Sequence, residues 1–122
     1  MIAILKDTDE RYRACIQSAT RAGVKVALGS DFVGWDPSIT AKEFEYLVTR
    51  GGLSTLQAIY AGTSSAADML DIKNIGRVVP GNTADLVVIV GNPVDDITLL
   101  RTALCFVMKN GKIVRDDAER RE

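Results

Sequence analysis

A helix-spaced segment runs into the short, mostly apolar stretch at 24–28 with only Gly23 between them, and this order restricts the possible folds more than any other part of the chain. Upstream, Tyr12, Cys15, Ile16, Ala19 and Ala22 recur at spacings of three and four, which predicts one amphipathic helix capped by Thr8 or Asp9. Gly23 stands where a left-handed helix stop is needed. Residues 24–28 then read as a short strand rich in β-branched side chains, followed by the triplet Gly29-Ser30-Asp31. Helix, tight turn, strand and polar loop make half of an α/β repeat. Gly34, Trp35 and Pro37 predict an irregular loop over 32–38, on the side of the strand where α/β folds build their sites.

The next two helix starts are predicted from chemistry at their caps. Thr40 with Glu43 and Ser54 with Gln57 each place a hydroxyl three residues before an acid or amide, so that side chains can satisfy exposed backbone N–H groups. The first helix carries Ala41, Phe44, Leu47 and Val48 on one face and stops at Gly51-Gly52. The second, about four turns long, carries Leu56, Ile59, Tyr60, Ala66, Ala67 and Leu70. Both are expected to face a core, with the hydroxyls of Tyr46 and Tyr60 reaching the surface.

Beyond Asp71 the periodicity changes. Pro80-Gly81 and Asn82 mark turns, residues 84–90 form an apolar strand, and Asn92-Pro93 stops it. Two further strands, 105–108 and 112–114, flank Asn110-Gly111, whose readiness for positive φ predicts a hairpin. Asp95 and Asp96 are expected to cap a short turn at 97–100. The sequence therefore divides near residue 72 into an α/β part, 1–71, and a β-rich part, 72–122, joined through 72–82. Residues 116–122 are charged and read as a frayed helix or a solvated tail.

At 122 residues and 47% hydrophobic content, the chain has the size and composition of one domain. Its net charge of −1, with both signs interleaved, gives no basic field for nucleic acid or for an anionic membrane. No apolar run approaches a membrane span, and the first five residues lack the features of a signal peptide, so the cytoplasm is the expected location. Cys15 and Cys105 fit no ligand or redox spacing and are expected to be reduced and buried.

Several of these segments together carry a resemblance. They are Ala22-Gly23-Val24-Lys25-Val26-Ala27-Leu28-Gly29-Ser30-Asp31; Gly52-Leu53-Ser54-Thr55-Leu56-Gln57-Ala58, leading to Ala61-Gly62-Thr63; and Ile75-Gly76 followed by Pro80-Gly81-Asn82-Thr83-Ala84-Asp85-Leu86-Val87-Val88. Gly91-Asn92-Pro93 and Val107-Met108-Lys109-Asn110-Gly111-Lys112 complete the order. As a linked set they resemble the C-terminal end of the amidohydrolase superfamily, nearest to its imidazolonepropionase-like and Xaa-Pro-dipeptidase-like branch.

That resemblance implies an α/β fold: the last strand and flanking helices of a metal-dependent (β/α)8 barrel over 1–71, and strands of a small β-sandwich domain over 72–122. It implies hydrolysis of carbon–nitrogen bonds, in amides, cyclic amides or peptides, by a metal-activated water. Asp31 would be a ligand of a divalent metal, zinc by expectation, and would accept the proton of the attacking water. Taken as a triplet alone, Gly29-Ser30-Asp31 is better explained by a turn in which Asp31 accepts a backbone N–H; the family resemblance reverses that reading.

Phe32 and Trp35 are candidates to line a substrate pocket, with a hydrophobic plug at the barrel rim as an equal alternative for either. Asp36 reads as a turn acid, and Asp85 as a turn or strand-start residue with no part in catalysis.

The chain has no histidine, and a catalytic zinc wants three protein ligands with one open position. The expectation is therefore that this chain alone is inactive and that its partner is a missing N-terminal portion of the enzyme. A homo-oligomer acting on a small molecule or dipeptide is expected. The alternatives are a non-catalytic association module derived from the amidohydrolase tail, whose exposed edges pair between copies, and a small α/β ligand-binding domain with a closed pocket.

Overall fold

The computed structural model describes residues 2–30 and 38–117. Five helices and three strands follow in order: α1 (Ile2–Arg21), α2 (Ser38–Thr49), α3 (Thr55–Ala61), α4 (Ser64–Met69), β1 (Leu86–Ile89), α5 (Leu99–Thr102), β2 (Leu104–Lys109) and β3 (Lys112–Asp116).

Helix α1 begins well before the expected cap, so Thr8 and Asp9 lie inside it. Its end is as read: Gly23 takes φ +74°, its N–H donates to Thr20 O and the Val24 N–H to Ala19 O, the paired closure that needs a residue free of a Cβ penalty. Cys15 is exposed on this helix, against the expectation of burial, because Ile16 is the member of the predicted face that packs on the core.

Residues 24–28 form no strand, a second departure from expectation. A strand exists only through a ladder with a neighbour. Here the Leu28 N–H donates to Ala61 O, 2.8 Å away, and the Val26 carbonyl accepts from the Ser65 hydroxyl at 2.6 Å, so helices α3 and α4 take the place of a strand partner.

Thr40 stands inside the first turn of α2 and is not its cap. The Ser54 cap is as predicted: its hydroxyl accepts from the Gln57 N–H while the Gln57 amide oxygen accepts from the Ser54 N–H. The expected four-turn helix is broken into α3 and α4 at Gly62, where the ring of Phe44 lies so close that a Cβ would stand 2.4 Å from its Cε1. The break turns Leu56, Tyr60 and Leu70 outward, and the buried side chains are Ala58, Ala61 and Ala67.

The core gathers Leu47, Leu53, Ala58, Ala61 and Ile97, with Ile16, Val26, Leu28, Phe44, Val48, Ile59 and Leu100 packed around it. Three of the six buried hydrophobic residues described are alanines, so the core is thin for the amount of apolar chain. Much apolar surface stays open: Val78 is 85% exposed, and Val87, Ile113 and Val114 each about 60% or more.

Strands β1, β2 and β3 form an antiparallel sheet in that order, with Val87, Val107 and Arg115 opposite one another across it. Asn110 (φ +50°) and Gly111 (φ +74°) make the predicted hairpin turn between β2 and β3. The strand expected over 84–90 is shortened to β1, with a bulge after Val88. Helix α5 touches both α2 and β2 and so ties the sheet to the helices. Asp96 organises its approach, accepting from the N–H and hydroxyl of Thr98 at 2.9 and 2.7 Å.

Candidate active site

The chain approaches Asp31 along residues 24–30, and three polar contacts hold this run to α3 and α4. Lys25 Nζ lies 3.3 Å from the Asp68 carboxylate; the Ser65 hydroxyl donates to the Val26 carbonyl; the Leu28 N–H donates to the Ala61 carbonyl. Each contact has a local cause. Ser65 and Asp68 stand three positions apart on α4 and so share a face. Ala61 O is free to accept because α3 ends there, at Gly62. At the far end, Ser30 Oγ and Thr40 Oγ1 approach to 3.5 Å, which sets the run's exit beside the first turn of α2.

Asp31, Phe32 and Trp35, the three residues proposed from sequence for ligand and pocket roles, lie outside the described residues, as does Asp36. Gly29, just before them, opens on free space: a Cβ placed there meets nothing within 4 Å.

Asp85 has the structural role read for it. Its carboxylate accepts from Lys109 Nζ and, at 2.6 Å, from the Asn110 N–H, which fastens the hairpin turn to the start of β1. The Lys109 and Asn110 bonds hold its carboxyl below the ordinary aspartate value.

The acid that sequence reasoning passed over is Asp68. It bridges Arg77 at 2.8 Å and Lys25, and those donors, Arg77 foremost, hold its carboxyl below the usual carboxylate range. Its only advance signal was its spacing of three from Ser65 on one helix. Asp68 edges an open cleft of about 590 Å³ together with Asp71, Lys73 and Asn74. That cleft is lined by Lys25, at the start of the run, and not by Gly29 or Ser30.

Among the described residues no three His, Cys, Asp or Glu side chains gather as a metal ion requires. With no histidine in the sequence, the donors of this chain do not by themselves fit a catalytic zinc.

Comparison with known proteins bears on the family directly, because the amidohydrolase family model matches residues 8–115, nearly the whole chain. This chain belongs to the amidohydrolase family. Among curated amidohydrolase relatives, the ochratoxinase of Aspergillus niger is 35% identical over 117 residues, covering 93% of this chain and 24% of the relative. The crystal structure of that ochratoxinase superposes with a TM-score of 0.73 at 34% identity, over 83% of this chain and 24% of the other. A Xaa-Pro dipeptidase structure with bound methionine gives 0.75 at 32% identity, over 84% and 25%. A putative prolidase from Bifidobacterium longum gives 0.73 at 31%, over 81% and 25%. The chain thus spans about a quarter of the length of these relatives, and its mixed helix and strand fold matches part of the amidohydrolase structures.

Proposed function

We propose that this chain contributes the end of a metal-dependent amidohydrolase that cleaves carbon–nitrogen bonds of a dipeptide or related amide. Residues 1–71 supply the last strand and flanking helices of the barrel, and residues 72–122 supply strands of the small β-domain. Asp31 would be one ligand of that ion and would accept the proton of the attacking water and pass it to the leaving nitrogen. The divalent ion, with zinc the first candidate, polarises the scissile carbonyl and acidifies water when bound. Its remaining ligands come from polypeptide beyond this chain, so the 122 residues alone do not turn substrate over. Phe32 and Trp35 are proposed to line the pocket.

The observation that supports this most is a coincidence of place. The family match includes Gly29-Ser30-Asp31, and the residues leading to that triplet are held to α3 and α4 and open at Gly29. The names of similar proteins, ochratoxinase and Xaa-Pro dipeptidase, support an amide or peptide bond as the target.

The test joins this chain to the sequence encoded upstream of Met1 and follows hydrolysis of Xaa-Pro and other dipeptides. Turnover that Asp31→Asn abolishes while the circular dichroism spectrum is kept agrees with the reading. Near-normal turnover in that variant refutes the role of Asp31.

A second reading, an association module, draws on the open apolar surface of the sheet at Val87, Ile113 and Val114. It expects a stable metal-free homodimer of the 122-residue chain in sedimentation, whereas the first reading expects none.

A further inference from the structure

The turn between β2 and β3 is exposed, yet both of its backbone donors are tied down. Lys109 and Lys112 are the last pair of the ladder, which leaves the N–H groups of Asn110 and Gly111 outside it. The start of β1 takes both. The Asn110 N–H donates to the Asp85 carboxylate at 2.6 Å, and the Gly111 N–H donates to the Ala84 carbonyl at 3.0 Å. Lys109 Nζ donates to the second carboxylate oxygen of Asp85. Residues 84 and 85 therefore form a clasp over the turn.

The chain has asparagines at 74, 82, 92 and 110, and Asn110 alone among them is followed by glycine. Glycine has no Cβ to obstruct its own nitrogen, so Gly111 N can reach the side-chain carbonyl carbon of Asn110 when the turn is free. Attack forms a bond from Gly111 N to Asn110 Cγ and closes a five-membered succinimide. The bond from Cγ to Nδ2 breaks, and that nitrogen leaves as ammonia with the proton given up by Gly111 N. Water then opens the ring at either carbonyl, which gives aspartate or isoaspartate. In the folded chain the first step is blocked twice over. Ala84 holds the proton that Gly111 must shed, and Asp85 holds the residue that must turn.

We propose that Asn110-Gly111 is a deamidation site that the clasp of Ala84 and Asp85 keeps closed. Conversion is a one-way release. It puts a carboxylate on the residue whose N–H Asp85 grips, and like charges on adjoining groups repel. Isoaspartate also adds a backbone carbon to a hairpin turn built for two residues. The turn then no longer fits the start of β1.

The test incubates the 122-residue chain at mildly alkaline pH and follows each asparagine by peptide mass mapping. Asn110 in the folded chain converts about a hundredfold more slowly than in the same chain unfolded in urea, as two hydrogen bonds, one to a charged acceptor, would produce. Asp85→Ala, with its circular dichroism spectrum kept, converts about tenfold faster than the unaltered folded chain. The asparagines at 74, 82 and 92 serve as controls and change little. Equal rates in the folded and unfolded chain overturn the clasp, and no conversion of Asn110 in the unfolded chain overturns the site. A folded Asp85→Ala chain as resistant as the unaltered one also overturns the proposal. If Asp85→Ala does not fold, Lys109→Ala decides: loss of this exposed grip on the carboxylate raises the rate about two- to fivefold, and no rise counts against the proposal.

Discussion

Replacing Gly76 by alanine tests how the connection between helices and sheet is seated, and two separate costs can be read from the structure. Gly76 has φ +74°, a conformation that costs a residue with a Cβ about 1–2 kcal/mol. A Cβ there would also stand 2.8 Å from the Ala67 Cβ and 2.8 Å from the Thr63 carbonyl oxygen. Neither neighbour yields easily: Ala67 is only 3% exposed, and the other contact is backbone at the junction of α3 and α4. Overpacking of this kind costs about 1–3 kcal/mol, so the sum is about 2–5 kcal/mol.

Gly23 supplies the reference, because it has the same φ of +74° and open space where its Cβ would go. Gly23→Ala should therefore cost the backbone part alone, about 1–2 kcal/mol. Urea unfolding followed by circular dichroism measures both. At a slope of about 1.5 kcal/mol per molar, Gly76→Ala lowers the midpoint by roughly 1–3 M and Gly23→Ala by about 1 M. Equal shifts for the two variants would refute the packing of this connection against α4.

Three other outcomes are expected. Leu47→Ala removes a core side chain that is 6% exposed and should cost about 2–5 kcal/mol, with a loss under 1 kcal/mol contradicting the core described here. Ser54→Ala removes the capping hydroxyl of α3 and should cost about 1 kcal/mol by the same urea assay, with no change arguing against the cap. Asp85 has its folded pKa lowered, so its contribution is complete above the unfolded value of about 3.9 and is lost as pH falls through the lower folded value. Asp85→Asn should thus flatten the fall of the unfolding midpoint in acid, and an unchanged acid profile would count against the Lys109 and Asn110 bonds.

Features governed by residues near in sequence were legible before the structure. Gly23, the Ser54 and Gln57 pair, and Asn110-Gly111 each specify a local backbone event through a φ angle or a short-range hydrogen bond, and each took the expected form. The turn or strand-start role read for Asp85 was legible for the same reason, since its partner Asn110 sits in a turn already marked by its own sequence.

What failed depended on distant neighbours. The break at Gly62 lies against the Phe44 ring on another helix, a contact that apolar spacing cannot reveal. Residues 24–28 have strand composition, but the groups that meet their backbone belong to α3 and α4. At the candidate site, Asp31 could be named from the triplet and its family setting. Ser65 and Asp68 could not, because their relevance appears only when the face of α4 that meets residues 24–28 is known.

Zinc titration of two polypeptides by calorimetry, this chain alone and this chain joined to its upstream portion, addresses the incomplete ligand set most directly. The expected result is no stoichiometric uptake by the 122-residue chain, and uptake by the joined polypeptide that Asp31→Asn weakens. Tight one-to-one zinc binding with amide cleavage by the 122-residue chain alone would contradict the account.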